Sequence, residues 1–211
     1  LSFVRYADDC SIYVKSKKSA NRVMSSITKY IEQELKLKVN QTKSKVSRPM
    51  KSTLLGFSFY RTKGKWLIRV ANKSVDKMRD KIKLHLKRNS PSSLRLKVNE
   101  LKSVIIGWTN YFIIAETESA FKRLDELART RARICQWHQW KRARTKIKNL
   151  KRLGITASKA YEWGNTSKGA CRVAQSAILK RTLTNMYLTK LGLVSIYDHY
   201  FNIRKLQLKL F

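Results

Sequence analysis

The chain has 211 residues, of which 43% are hydrophobic, so it is not a disordered basic tail and can bury the cores of one or two domains. Its formal net charge of +34 makes nucleic acid the first candidate partner and a membrane surface the weaker one. No apolar run approaches the roughly 20 residues that span a bilayer, and three cysteines far apart in the chain indicate an intracellular, reducing setting rather than a disulfide framework.

The first 71 residues are predicted to mix helix and strand. The expected elements, in chain order, are a β-hairpin over 1–15, an amphipathic helix over 18–37, two short strands around a polar turn over 38–46, a strand over 54–60 and a strand over 66–70 after the turn at 62–65. The helix carries its apolar residues at spacings of three and four, which predicts one buried face. This part therefore looks like a small α/β piece.

From residue 72 onward the chain is predicted to be all-helical. The expected helices cover 74–89, 92–114, 117–142, 143–153, 156–164, 174–191 and 195–207. Pro91 marks a helix start, and Gly107 within a helix costs about 1 kcal/mol relative to Ala, which predicts a packing reason for it. The sequence thus predicts an α+β fold in which a mixed piece over 1–71 is followed by an all-helical piece from residue 72.

Positive charge is concentrated in the middle of the helical part. No acidic residue lies between Glu126 and Glu162, and ten arginines and lysines lie from Arg129 to Arg152 within this interval. A solvated charged helix normally carries both signs, so the one-sided balance favours a phosphate-binding surface. The predicted nucleic-acid-binding residues here are Arg129, Arg131, Arg133, Trp137, Lys141, Arg142, Arg144, Lys146, Lys148, Lys151 and Arg152. The alternative is a helix whose tryptophans pack inward while its bases face solvent, and both descriptions can hold together.

Asp8 and Asp9 are the candidate metal ligands. Two adjacent carboxylates at the tip of a hairpin repel each other, and a divalent cation compensates their charge. The alternative is an acidic turn between two edge strands. Tyr6 and the small Ala7 before the pair, together with the apolar strands on both sides, favour the metal site.

Two further segments carry weaker signals. Lys43 lies on a predicted turn near the hairpin. A lysine there can neutralise the charge of a nucleoside triphosphate or donate a proton to its leaving pyrophosphate, although spacing alone favours a solvated lysine. Leu55 and Gly56 can belong to a strand beneath a primer terminus, since glycine allows a backbone to approach closely. The alternative is an ordinary core strand with a bulge.

Taken in order, these motifs resemble group II intron-encoded reverse transcriptases. The segment from Phe3 to Asp9 resembles their catalytic hairpin. The further similar segments are 40–46, 55–59, 107–112, 136–154, 167–169, 172–174, 183–185 and 191–193. Two departures are Gln41, where the family has proline, and Ala170, where an aromatic residue is common.

This resemblance implies the end of a polymerase palm over 1–71, followed by a helical, basic thumb or maturase region called domain X over 72–170. It also implies a helical nucleic-acid-binding segment over 171–211. It implies RNA-directed DNA synthesis with two Mg²⁺ ions held by Asp8, Asp9 and an aspartate outside the chain, assisted by Lys43. Primer contacts would come from Tyr6, Ala7, Leu55 and Gly56. It also implies maturase action, meaning that the protein binds the intron RNA and promotes its splicing, with Lys168 and Arg172 added to the RNA-binding set.

The partners that the resemblance implies are group II intron RNA, a DNA target, a template–primer duplex and an N-terminal fingers and palm portion. Without that portion the chain alone is expected to be inactive. The expected location is a bacterial cytoplasm or an organelle, with no membrane partner. Two alternatives stay open: an RNA-binding splicing factor with a disused hairpin, and another bacterial reverse transcriptase such as a retron enzyme. Residues 107–172 favour the intron class over the retron class.

Overall fold

A computed structural model of the chain describes residues 1–207. It divides into two compact units, Leu1–Ala71 and Asn72–Phe211. The first unit contains two small antiparallel sheets and one α-helix, and the second is helical, so the predicted α+β class is confirmed. The last four residues of the predicted segment 171–211 lie outside the described residues.

The strands of the first unit form two sheets. Strands β1 (Ser2–Tyr6) and β2 (Asp9–Tyr13) pair as an antiparallel hairpin, as predicted. Strands β3 (Thr53–Leu54), β4 (Phe57–Thr62) and β5 (Lys65–Val70) form an antiparallel sheet in that order. The rings of Tyr13 and Phe59 meet edge to face with centroids 6.2 Å apart, so the hairpin packs on this sheet through an aromatic contact.

Helix α1 (Lys17–Lys29) follows the hairpin. The hydroxyl of its N-cap Ser16 accepts a hydrogen bond from the Ser19 N–H at 3.2 Å, which satisfies one of the free amides of the first turn. A wider π-helical turn, Tyr30–Glu34, continues the helix. The predicted buried face is only half-buried in α1, and Leu35 beyond it is 49% exposed.

Two predictions for this unit are wrong. Residues 38–46 form no strands, because the Asn40 side chain accepts hydrogen bonds from the backbone N–H groups of Thr42 and Lys43, both at 3.1 Å, and so folds the segment into a turn. The predicted strand over 54–60 is split, because Leu55 (φ +50°) and Gly56 (φ +79°) form a two-residue turn between β3 and β4. Positive φ at both central residues is typical of tight hairpins.

The second unit consists of helices joined by short connections. Their bounds are α2 Asn72–His85, α3 Leu94–Tyr111, α4 Glu118–Gln139, α5 Ala143–Arg152, α6 Ala157–Gly164, α7 Ala170–Gln175, α8 Ala177–Thr182, α9 Asn185–Lys190 and α10 Ile196–Gln207. The single helix predicted over 174–191 is therefore wrong. Ser176 and Thr184 adopt extended backbone conformations and divide the segment into α7, α8 and α9.

Helix α4 connects the two cores of this unit. With 22 residues it is about 33 Å long. It packs with α2, α3 and α10, and in its first half Phe121 stacks on Tyr200 of α10 at a centroid distance of 4.0 Å. Its second half contributes Trp137, and the next residue after the helix contributes Trp140, to a separate core that includes Leu150 of α5. The fold of α5 to α9 therefore depends on the C-terminal half of α4.

Two positions differ in burial from what their sequence predicts: Lys97 is buried and Gly107 is exposed. Lys97 is 1% exposed, and its ammonium donates to the carbonyls of Lys87 (2.8 Å) and Ser90 (3.2 Å), so it holds the connection between α2 and α3. Gly107 is exposed, and a Cβ at this position would meet nothing within 4 Å. The packing reason predicted for Gly107 is therefore wrong.

Candidate nucleic-acid interface

The β1–β2 hairpin presents the predicted carboxylates to solvent. Tyr6 pairs with Asp9 across the strands, which places Ala7 (φ +48°) and Asp8 in the turn. The guanidinium of Arg5 donates from Nε to the Ala7 carbonyl at 3.1 Å. All five residues are exposed. In the described part of the chain, neither aspartate forms an ion pair.

The structure does not complete a metal site around these carboxylates. Within residues 1–207 there is no cluster of three or more histidine, cysteine, aspartate or glutamate residues able to hold a metal ion. Lys43 is exposed on the turn organised by Asn40. Leu55 and Gly56 lie in a turn rather than on the strand where they were predicted. The catalytic and primer-binding roles of these residues stay predictions.

Helix α5 carries the densest exposed positive charge. Its sequence alternates an apolar face with a basic one: Leu150 is fully buried and Ile147 packs on the same core. Arg144, Lys148 and Lys151 recur at spacings of four and three and are all exposed, so they form a row along one side of the helix. We call these three residues the α5 row.

The cations around the α5 row are also exposed and unpaired. Lys141 and Arg142 precede the helix and Arg152 ends it. Between residues 1 and 207, none of the cations from Lys141 to Arg152 lies within 4 Å of a carboxylate, whereas Arg79, Lys83 and Lys122 elsewhere in this unit are paired with Asp76, Asp80 and Glu118. The positive potential at α5 is therefore not neutralised by neighbouring side chains.

Arg129 lies in a network between α4 and α10. Its guanidinium pairs with the Asp125 carboxylate at 2.5 Å and donates to the Ser195 hydroxyl at 3.2 Å. The same carboxylate accepts the backbone N–H of Ile196 at 3.0 Å. Burial raises the pKa of Asp125, against the opposing effect of the Arg129 charge. Arg129, predicted to bind nucleic acid, thus joins two helices of the protein.

Two other residues of the predicted nucleic-acid-binding set lie inside the protein. Arg133 is 7% exposed and donates to the Leu183 carbonyl and the Asn185 side-chain oxygen, both at 2.9 Å. Trp137 is 2% exposed. For these two residues the prediction of an exposed contact is wrong, because their polar and aromatic groups are used in the core. Arg131 is half-buried and lies 3.5 Å from the Lys83 carbonyl.

A concave pocket lies next to the start of α5. It has a volume of about 430 Å³ and is bordered by residues from the end of α4 to Lys146 on one side and by the loop Thr166–Ala170 on the other. Lys141, Lys146 and Lys168 line it, and among residues 1–207 no acidic side chain does. Of the predicted set, this loop supplies Lys168, and Arg172 is exposed on α7 just beyond it.

A comparison with known protein families accounts for the central helices. Residues 75–154 match the family model described as "Group II intron, maturase-specific domain". These residues are a group II intron maturase-specific domain. The predicted resemblance is confirmed for this span. No curated protein matches the chain.

The maturase-specific domain runs from α2 through α5. It includes the α5 row, whereas the hairpin with Asp8 and Asp9 and the loop that borders the pocket lie outside the matched span. Among residues 1–207, none of the helices combines the length and hydrophobicity needed to cross a bilayer. The family match therefore bears on the basic helices and not on the predicted polymerase hairpin.

Sequence reasoning missed one part of this interface. Thr166 lines the pocket beside Ser167, but the family resemblance covered only residues 167–169 of this loop. The sequence did carry a signal for this part. It predicts a polar loop between two helices, in which two hydroxyl residues are followed by lysine and glycine. Which helix such a loop faces depends on tertiary packing.

Proposed function

We propose that this chain binds group II intron RNA through the exposed basic side of its maturase-specific domain and so promotes splicing. The observation that carries the proposal is the α5 row: Arg144, Lys148 and Lys151 are exposed and have no carboxylate partner in the described structure. RNA phosphates are the complementary charge. Leu150 of α5 packs in the core with Trp137, and this packing holds the row in a fixed geometry.

The expected strength of this contact follows from counterion release. Each lysine or arginine that neutralises a phosphate contributes roughly 0.7 to 0.9 to the slope of log affinity against log salt. Three such contacts contribute about 2 to 3 to the slope. They therefore raise the affinity at 0.15 M salt about 50- to 170-fold relative to about 1 M salt. A contact of this size is measurable with ordinary binding assays.

The test replaces the α5 row with glutamines, as Arg144→Gln, Lys148→Gln and Lys151→Gln together. The matched control makes the same changes at paired, exposed cations of the same unit: Arg79→Gln, Lys83→Gln and Lys122→Gln. Both triple variants remove one arginine and two lysines and lower the net charge equally. Binding to a group II intron RNA is measured over a salt series.

We expect the α5 variant to lose about 2 to 3 from the salt slope, and the control to lose less than about 1, because its cations are already neutralised by carboxylates. Equal losses in the two variants would mean that only total charge matters. That result would contradict a specific RNA surface at α5.

We further propose that the first unit belongs to a polymerase that copies the intron RNA into DNA. Support comes from the resemblance and from the tight hairpin that exposes Asp8 and Asp9 without an ion pair in the described residues. Carboxylate oxygens suit Mg²⁺, so these two residues would hold it together with a carboxylate from outside this chain. When bound, Mg²⁺ lowers the pKa of the primer hydroxyl and stabilises the leaving pyrophosphate.

In this proposal the partners also include a template–primer duplex and a DNA target. Ala7 leaves space for the backbone of a primer at the turn, and Lys43 supplies positive charge. The setting would be a bacterial cytoplasm or an organelle. These assignments rest on the motifs and not on the family match, which begins at residue 75.

The polymerase proposal is tested by primer extension with the chain combined with the N-terminal fingers and palm portion that the resemblance implies. Asp8→Asn and Asp9→Asn should each abolish extension and leave intron RNA binding unchanged, since the α5 row is intact. Glu32→Asn, at an exposed carboxylate of the same unit, is the control and should extend normally. No extension by the unaltered protein, combined with tight RNA binding, would favour the splicing factor without polymerase activity.

A further inference from the structure

The pocket beside α5 has features of a ligand site that the α5 row does not explain. Its volume of about 430 Å³ lies within the range of small-molecule pockets and is larger than a single phosphate group needs. It is formed by two segments that are distant in sequence, the region from Trp137 to Lys146 and the loop Thr166–Ala170. Its shape is therefore a product of the fold and not of one charged helix.

The lining is cationic and partly fixed in place. The ammonium of Lys146 lies 4.8 Å from the ring centroid of Trp137, a cation–π contact that holds this charge at the pocket wall. Lys141 and Lys168 add two further positive charges. With three cations and no anion in its lining, the pocket favours a phosphate ester over a neutral or cationic ligand.

Hydroxyl groups lie next to these cations. The Thr166 hydroxyl oxygen accepts the backbone N–H of Lys168 at 3.3 Å, and within residues 1–207 its own hydrogen has no acceptor. Ser167 adds a second hydroxyl to the lining. Hydroxyls of this kind can exchange hydrogen bonds with a ribose 2′-hydroxyl, the group that distinguishes RNA from DNA.

The tryptophan of the pocket does not offer a free stacking surface. Trp137 is 2% exposed and its ring is covered by Lys146. A base would therefore find no open indole face here, unlike in proteins that read single strands by stacking. The lysines and hydroxyls of the lining match the phosphate and sugar of a nucleotide, and the exposed His138 imidazole also borders the pocket.

We propose that this pocket binds the ribose–phosphate of one unpaired nucleotide of the intron RNA. The inference rests on the RNA binding proposed above and adds a defined subsite to it. The three lysines neutralise the phosphate, and Thr166 and Ser167 contact the ribose. An unpaired nucleotide fits because its backbone can leave the duplex and enter the cavity.

Gly169 allows a test that leaves the charge unchanged. Its backbone (φ −61°, ψ 154°) suits any residue, and a Cβ there would meet nothing within 4 Å. Gly169→Leu therefore adds an apolar side chain to the pocket lining with no clash at its Cβ. Gly107→Leu on α3 is the matched control, since a Cβ at Gly107 is equally free and lies outside the pocket lining.

The probes are an RNA hairpin with one bulged uridine, the same hairpin without the bulge, and the bulged hairpin with a deoxyribose at the bulge. The full chain should prefer the bulged hairpin about three- to tenfold, the worth of one or two net hydrogen bonds. Gly169→Leu should abolish that preference, and Gly107→Leu should retain it. The deoxyribose should reduce the preference, and full retention would overturn the assignment of the ribose contact.

A second pair of variants keeps the proposal testable if Gly169→Leu does not fold. Lys146→Met removes the charge over Trp137 and should reduce the bulge preference, whereas Lys148→Met should weaken binding of both hairpins equally.

A bulge preference that persists in Gly169→Leu and in Lys146→Met would overturn the assignment of the pocket as a nucleotide site. Equal, tight binding of both hairpins by the unaltered chain would also overturn it while leaving the proposed RNA binding intact. Binding of neither hairpin nor intron RNA would refute the proposed function itself.

Discussion

Gly164 is the position where one added methyl group should have the clearest effect on this protein. It is the last residue of α6 and faces α5, where a Cβ would lie 2.4 Å from Ile147 Cγ1 and 3.2 Å from the Ile147 backbone nitrogen. Ordinary carbon–carbon contacts are about 3.5–4.0 Å. Gly164→Ala therefore requires a displacement of more than an ångström between the two helices or within Ile147.

The size of the effect follows from what can move. Cγ1 is bonded directly to Cβ of a β-branched side chain with a restricted χ1, so Ile147 cannot swing away at low cost. Overpacking of this kind costs about 1–3 kcal/mol. Alanine recovers at most about 1 kcal/mol of helix propensity, and less at a terminal residue. We expect Gly164→Ala to lower the free energy of unfolding by about 1–2 kcal/mol.

A double-mutant cycle measured by urea denaturation separates the clash from other effects. Ile147→Ala removes Cγ1, so in that background Gly164→Ala should cost less than about 0.5 kcal/mol. Gly169→Ala, where a Cβ meets nothing within 4 Å, is the control and should be close to neutral. Equal destabilisation by Gly164→Ala in both backgrounds would refute the assigned contact, as would unchanged stability in the first background.

Two further predictions concern buried charges. Burial raises the pKa of Asp125 above its unfolded value of 3.8, so the folded chain binds this proton more tightly, and the resulting stabilisation is fully present below pH 3.8 and lost as the pH rises through the raised pKa. Urea denaturation at pH 7 and pH 4 should therefore show the unaltered chain gaining stability relative to Asp125→Asn at the lower pH; a constant difference would contradict this. Lys97→Met removes two hydrogen bonds to carbonyls and should cost about 1–3 kcal/mol, with faster amide exchange in residues 87–92. Lys102→Met, at an exposed site on the same helix, should change stability by less than about 0.5 kcal/mol, and equal losses in the two variants would argue against a role for Lys97.

Periodic patterns predicted the long elements of the fold well. The apolar spacing of α3 and α4 and the strand–turn–strand pattern of the hairpin are strong local signals, since each is set by the repeat of its own element. Local hydrogen bonding was harder to foresee. At Asn40 a side-chain oxygen replaces the predicted strand pairing with a turn, and at Ser176 an extended residue divides an apolar run that has continuous helical spacing.

The candidate site was predicted in part. The sequence located the basic stretch that contains Arg144, Lys148 and Lys151, because no acidic residue interrupts its cations, but it did not separate these three from the other cations. It did not reveal the pocket, because Lys146 and Thr166 are brought together by the packing of α5, α6 and the following loop. For the hairpin carboxylates the structure supplies exposure and turn geometry, and their chemistry stays a prediction.

The sequence by itself determined the charge of the protein, the order of its long helices and its likeness to intron-encoded proteins, because these depend on composition, local repeats and motif order. Only the tertiary structure decided which basic residues are available to RNA. Arg133 and Arg144 are both arginines in the same acid-free stretch. Arg133 finds the Leu183 carbonyl 50 residues away and is buried, whereas Arg144 faces solvent. The difference arises because a buried cation is tolerated only where distant parts of the chain supply its hydrogen-bond acceptors.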